Sequence, residues 1–179
     1  MTPNTPTLPI RPGEADTALV VFAAPDIWSS LQSLSWCQAS GRLDTLFIYQ
    51  TPATAADADR LRRLCSRQWP ALKVVLPGEP GTELPAKVIE RLRDWRLFRP
   101  NLSRWILDCT GAQPSMFAAV SRAAEESPGW LVLRGQPDGS WQRLVAASGG
   151  RLNPEAPDDA PHARQADAIA LPVLLPALY

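Results

Sequence analysis

Histidine is almost missing from this chain: a single one, His162, stands in 179 residues. It lies in a polar stretch near the C-terminus, which argues against a histidine-built zinc site or catalytic dyad. Cysteine is sparse as well. Cys37, Cys65 and Cys109 are far apart and form neither a CxxC metal pair nor the clustered framework of a disulfide-stapled secreted domain. The expectation is a protein without metal or cofactor. Net charge is absent too, with 18 Lys and Arg against 18 Asp and Glu. General nucleic-acid binding, which needs a basic surface to displace counterions, is therefore not expected. No apolar run approaches the ~18–20 residues of a membrane helix. The late segment IALPVLLPALY is short and broken by Pro172 and Pro176. The Pro- and Thr-rich start, MTPNTPTLPIRPGEAD, lacks the apolar core of a signal peptide. A cytoplasmic protein with no membrane contact is expected. Two phosphate signatures are also missing. There is no GxxxxGK[ST], and AAPD rather than GxGxxG follows the first apolar run, so neither a P-loop hydrolase nor a standard dinucleotide site is indicated.

What is present is a regular alternation. Apolar content of 45% suffices for a core. Residues 1–14 read as a disordered arm. TALVVFAAP (17–25) reads as a buried strand, and Asp26 can cap the helix IWSSLQSLSWCQAS, which Gly41 ends. Strand LDTLFIYQT (43–51), a helix over 53–68, strand ALKVVLPG (71–78) and a helix over 83–98 follow. RWILDCT (104–110) is the fourth strand, and the helix PSMFAAVSRAAEES begins at Pro114, where a missing N–H costs little. After Gly129, WLVLRGQ and WQRLVAA, joined by the turn GQPDGS, read as an antiparallel hairpin. The expected fold is α/β: a Rossmann-like, doubly wound, mainly parallel sheet with a C-terminal antiparallel hairpin, spanning 15–147. Residues 148–179, rich in Gly, Pro and Asp, read as a linker or tail, possible start of a further, missing effector domain.

Ligands of such sheets bind outside the carboxyl ends of the strands where strand order reverses, usually between the first and fourth. Two loops therefore carry the search: AAPD (23–26) and TGAQPS (110–115). In the second, Gly111 permits a sharp turn or a positive φ. The helix start near Pro114 favours an anion, and Thr110 and Ser115 offer hydroxyls. The plainer reading is a simple Gly turn with Ser115 as a cap. In the first loop, Ala24, Pro25 and Asp26 face the same edge; Asp26 can contact a ribose hydroxyl or simply cap the helix. After the second strand, Tyr49 can stack on a base or sit in the core, and Gln50 and Thr51 can hydrogen-bond a ligand. The tryptophans read mostly as core or interface anchors, and Arg60, Arg62, Arg63 and Arg67 as a solvated helix face.

The stretch Leu107-Asp108-Cys109-Thr110-Gly111-Ala112-Gln113-Pro114-Ser115-Met116, followed by Ala118-Ala119, resembles the "strand, then N-x-T-G-G-T-K-x-M-x-x-A" segment of CRISPR-associated Rossmann-fold (CARF) domains, particularly those of nucleases with a restriction-endonuclease-like second domain. The segment LDTLFIYQTPATAADADRLRRLC is similar to that family's second strand and helix. The likeness spans roughly 17–147. It implies a sensor in antiviral signalling of the type III CRISPR kind that binds a cyclic oligoadenylate as a homodimer and relays occupancy to a fused or separate effector. The implied contacts are Ala24, Pro25, Asp26, Gln50, Thr51, Thr110, Gly111, Ala112, Gln113, Ser115 and Met116. The family's second Gly, Thr and Lys are replaced by Ala112, Gln113 and Pro114, which removes a charge that would face phosphate. Two alternatives stand beside the sensor. One is a metal-independent ring nuclease aided by Arg134; the other is a degenerate CARF-like scaffold that binds no nucleotide. The homodimer is expected to bury Met116, Phe117 and Val120, unless Phe117 and Val120 pack inward and leave Met116 exposed.

Overall fold

The computed structural model describes residues 16–39, 43–126, 130–136, 141–147 and 151–154. The expected N-terminal arm, the Gly41 stop, the Gly129 break, most of the GQPDGS turn and the closing apolar segment lie outside the described residues. The elements are β1 (Thr17–Phe22), α1 (Ile27–Ala39), β2 (Leu43–Tyr49), a 3-10 turn (Pro52–Thr54), α2 (Ala55–Gln68), β3 (Lys73–Val75), α3 (Pro85–Leu97), β4 (Arg104–Asp108), α4 (Pro114–Glu126), β5 (Trp130–Gly135), β6 (Trp141–Ala147) and β7 (Arg151–Pro154).

The sheet runs β3-β2-β1-β4-β5-β6-β7. Strands β1 to β5 are parallel, and β6 and β7 close the edge antiparallel. The expected α/β, Rossmann-like architecture is what the chain adopts, with strand order reversing between β1 and β4. The sheet is one strand longer than the sequence suggested. β7 falls within the stretch read as a linker, where it pairs with β6 and runs near α4. β3 is shorter than 71–78 because Pro77 cannot donate to a ladder.

β1 is apolar throughout because both of its faces are covered. Ala18, Val20 and Phe22 pack toward α3 and α4; Leu19, Val21 and Ala23 pack toward α1 and α2. A strand buried on both faces needs a continuous apolar run rather than alternation. On the α3/α4 side a row of rings fills the core. Phe47 lies 5.0 Å from Trp95 and 5.3 Å from Trp105, and Trp105 lies 5.2 Å from Trp130. The rings of Phe47 and Trp105 meet across β1, where the small Ala18 pairs with Trp105. Such pairs add about 0.5–1.5 kcal/mol each beyond the area they bury. On the other side, α2 turns Ala58, Leu61, Leu64 and Cys65 inward. Its arginines form the solvated face expected, with Arg62 and Arg63 both paired to Asp59.

α4 corrects the expected dimer contact. Met116 is 2% exposed and Val120 is fully buried, both within the core on the α3/α4 side, and Phe117 packs against that same core. Met116, Ala119, Val120 and Ala123 follow the i, i+3, i+4, i+7 spacing of a core-facing stripe. Met116→Glu is therefore expected to act on folding rather than assembly. A buried, unpaired carboxylate should lower the urea-unfolding free energy by several kcal/mol, whereas Ala118→Glu, on the exposed side of α4, should stay within about 0.5 kcal/mol of the parent. Equal effects of the two substitutions would contradict this placement of α4.

Candidate functional site

At the strand-order reversal the ends of β1 and β4 are in backbone contact. A Cβ on Gly111 would lie 2.1 Å from the Phe22 carbonyl oxygen and 3.1 Å from the Ala24 Cβ. Gly111 is thus required for close approach, and its φ lies outside the left-handed region. Of the two uses of Gly111 considered, the sharp, tight turn is the one present. Ala23 ties this end of β1 to β2 through its N–H on the Tyr49 carbonyl, at 2.8 Å.

The β4–α4 loop is folded around Asp108. This carboxyl is buried at the end of β4, level with Val21 of β1 and Leu133 of β5. Its Oδ1 accepts the Thr110 N–H at 2.9 Å and the Thr110 hydroxyl at 2.5 Å, an Asx-type turn closed twice. The Ser33 hydroxyl of α1, which donates to the Ser30 carbonyl at 3.0 Å, lies near the same carboxyl. Thr110 Oγ1 in turn accepts the Gly135 N–H at 2.7 Å, so the chain of bonds links β4, the loop and the end of β5. Burial holds the Asp108 carboxyl above its ordinary value, against the lowering effect of Thr110 and Ser33. Burial first, and the Asp108 charge second, raise the thiols of Cys37 and Cys109; burial pushes Cys65 up to about 12. None of the three has the exposed, thiolate-favouring surroundings of a nucleophile.

Beyond this clasp α4 presents its first turn. Gln113, Pro114 and Ser115 are exposed and Ala112 is half-buried. The Ala112 N–H bonds the Cys109 carbonyl at 3.0 Å, and the Met116 N–H bonds the Gln113 carbonyl at 2.8 Å. Arg134 of β5 lies over the Phe117 ring, 5.6 Å from its centroid, bringing a cation beside this turn. Across the reversal, Pro25 and Asp26 are exposed. Asp26 caps α1, its Oδ1 accepting the Trp28 N–H at 3.0 Å. Trp28 itself is 37% exposed in the first turn of α1.

The residues after β2 are turned to a structural task. Gln50 is buried; its Nε2 donates to the Pro77 carbonyl at 2.6 Å, and its own carbonyl accepts the Gly81 N–H at 2.7 Å. The Tyr49 hydroxyl donates to the Thr82 carbonyl at 2.7 Å, and its ring packs against Phe22 and Trp95. Thr51 is buried and donates its N–H to the Thr54 hydroxyl at 3.0 Å. Tyr49 is thus the core aromatic of the two readings, and Gln50 fastens the 77–82 loop.

The reversal therefore brings together Ala24, Pro25 and Asp26 with Thr110, Gly111, Ala112, Gln113 and Ser115. Gln50 and Thr51 face inward, and Met116 belongs to the core. Asp108 and Trp28 were missed as contributors. Asp108 could have been noticed as a lone carboxylate in an otherwise apolar strand, which must find donors if buried. Trp28 could have been noticed as a large aromatic two residues past a helix cap. No protein-family model matches this chain, and a search of curated proteins finds no match.

Two substitutions probe the site's framework. Gly111→Ala should lose about 1–3 kcal/mol of stability, because the Phe22 backbone cannot give way as a flexible side chain would; an unchanged urea midpoint would contradict the contact. Asp108→Asn keeps an acceptor for Thr110 but removes the titration. With the native carboxyl raised above its ordinary 3.8, the folded state holds more protons than the unfolded one between those two values. Stability should thus fall as pH rises through that window, and the loss is complete above the raised value. The parent's stability should decline relative to Asp108→Asn as pH rises from about 4; parallel pH profiles would contradict it.

Proposed function

We propose that the chain is a ligand-sensing module that takes a phosphate-bearing nucleotide on the carboxyl edge between β1 and β4. By the resemblance of its β4–α4 segment to CARF domains, that ligand is a cyclic oligoadenylate held by a homodimer and read out by an effector domain. The observation that carries the reading is the exposed first turn of the 13-residue α4 at the strand-order reversal, with Arg134 beside it. A helix start favours phosphate through its N–H groups and dipole. Arg134 supplies a cation in place of the family's loop lysine, and the Gln113 and Ser115 side chains add neutral polar groups. Trp28, on the same edge, offers a face on which an adenine can stack. A ring of several adenylates exceeds one such crevice, so two copies related by a two-fold axis complete it. Their contact would use the exposed residues of this edge rather than Met116 and Val120.

A second reading is favoured by one observation. The Thr110 hydroxyl and the Gln50 amide are bonded within the chain, as they would be in a scaffold that binds no nucleotide. Calorimetric titration with cyclic tri-, tetra- and hexa-adenylate separates the two. The sensor should give saturable heat with one ring size and a two-fold stoichiometry in light scattering. Trp28→Ala should weaken binding by about 1–3 kcal/mol, the usual worth of base stacking, and Arg134→Gln should weaken it and flatten its salt dependence. No heat and no thermal shift with any ring at tens of micromolar would leave the scaffold.

A further inference from the structure

We infer that the cleft between the C-terminal ends of α3 and α4, at the amino edge of the sheet, binds an organic carboxylate carrying an apolar body. This site lies at the end of the sheet opposite the strand-order reversal and does not depend on the proposed nucleotide. The cleft has a volume of about 610 Å³, and Arg93, Arg96, Leu97, Ala123, Glu126 and Trp130 are among its walls.

Two of those walls carry shielded donors. Among the described residues, Arg96 Nη1 and Trp130 Nε1 are shielded from solvent and have no hydrogen-bond partner. A buried donor left unpaired costs about 1–3 kcal/mol, and more when charged, so two in one cleft are an unusual concentration of unmet demand. The Arg96 guanidinium rests over the Trp130 ring, 5.7 Å from its centroid, so the two residues share one wall of the cleft. The cleft's own acid does not answer them. Glu126 is held by Arg93 through Nε at 3.0 Å and through Nη2, and by Arg122 Nε at 3.1 Å. Those bonds, the Arg93 one first, hold its carboxyl below the ordinary range.

The chemistry of the occupant follows. The lining holds Arg93 and Arg96 against Glu126, one net positive charge, so a monoanion balances it. A dianion would meet the charge of Glu126. A carboxylate has two oxygens, enough to accept from the guanidinium and the indole together. Its apolar body rests on Leu97, Pro100 and Ala123, beside the rim where Leu97 is 76% and Phe98 75% exposed. Because the two donor atoms are shielded, binding requires the Arg96 side chain to shift.

The test follows the Trp130 indole N–H in amide-correlated spectra of the whole chain, with the signal identified by Trp130→Phe. Benzoate is titrated at constant ionic strength, with benzyl alcohol as its neutral counterpart. The expected result is a saturable shift of the Trp130 indole signal with a dissociation constant on the order of 1 mM, and no such shift with benzyl alcohol. Arg96→Gln should weaken benzoate about tenfold or more, and Arg96→Lys, which keeps the charge but loses the planar fork, should weaken it less. An indole signal that ignores benzoate, that moves equally with benzyl alcohol, or that keeps its benzoate affinity in whichever Arg96 variant folds, would overturn the inference.

Discussion

A carboxylate placed inside a sheet must be answered by donors, and around Asp108 the answer organises the whole carboxyl edge. Thr110 gives both its N–H and its hydroxyl to Oδ1, and the same Thr110 oxygen takes the Gly135 N–H. These bonds fix the loop after β4 against β5. With the loop fixed, Gly111 lies on the Phe22 carbonyl, and α4 starts at Pro114 in a set direction with Met116 already turned into the core. The exposed side chains beyond the clasp include Gln113, Ser115 and Arg134, and Trp28 is exposed in the first turn of α1.

The architecture was legible because its signals are local. The unbroken TALVVF run marks a strand covered on both faces; Asp26 and Pro114 mark helix starts, and alternating strands and helices compel parallel crossovers. From these the reversal between β1 and β4 follows without reference to distant contacts. The orientation of α4 was misread: both alternatives left Met116 outside the core, although Met116, Ala119, Val120 and Ala123 keep the helical spacing that places it inside. β7 was not legible: RLNP is short, ends in proline and sits among Gly, Pro and Asp, so its pairing with β6 supplies what local propensity does not.

The site was harder to read than the fold, because its side chains are occupied by partners remote in sequence. Gln50 stands at a strand end, where a ligand contact is reasonable, yet the Pro77 carbonyl that takes its amide proton is 27 residues away. Thr110 likewise bonds Gly135, 25 residues on. Unmet demand is equally invisible from sequence. Nothing in the string separates Arg96 from the other arginines of α3, and only folding brings it over Trp130 with its donor unpaired. The two edges of the sheet thus differ in kind. At the carboxyl edge buried polar groups are bonded to one another and exposed ones face outward, whereas at the amino edge two buried donors remain unpaired.

Hydrogen exchange of the Gly135 amide tests the central claim most directly, since this N–H reports the last link of the chain from Asp108 through Thr110. The expected result is native-state protection comparable to that of the Cys109 amide, which bonds the Leu133 carbonyl at 2.8 Å, and selective loss of that protection in Thr110→Val while the β1 amides stay slow. A Gly135 amide that exchanges in the parent protein at the rate of an unstructured loop would contradict the clasp and the fixed carboxyl edge built on it.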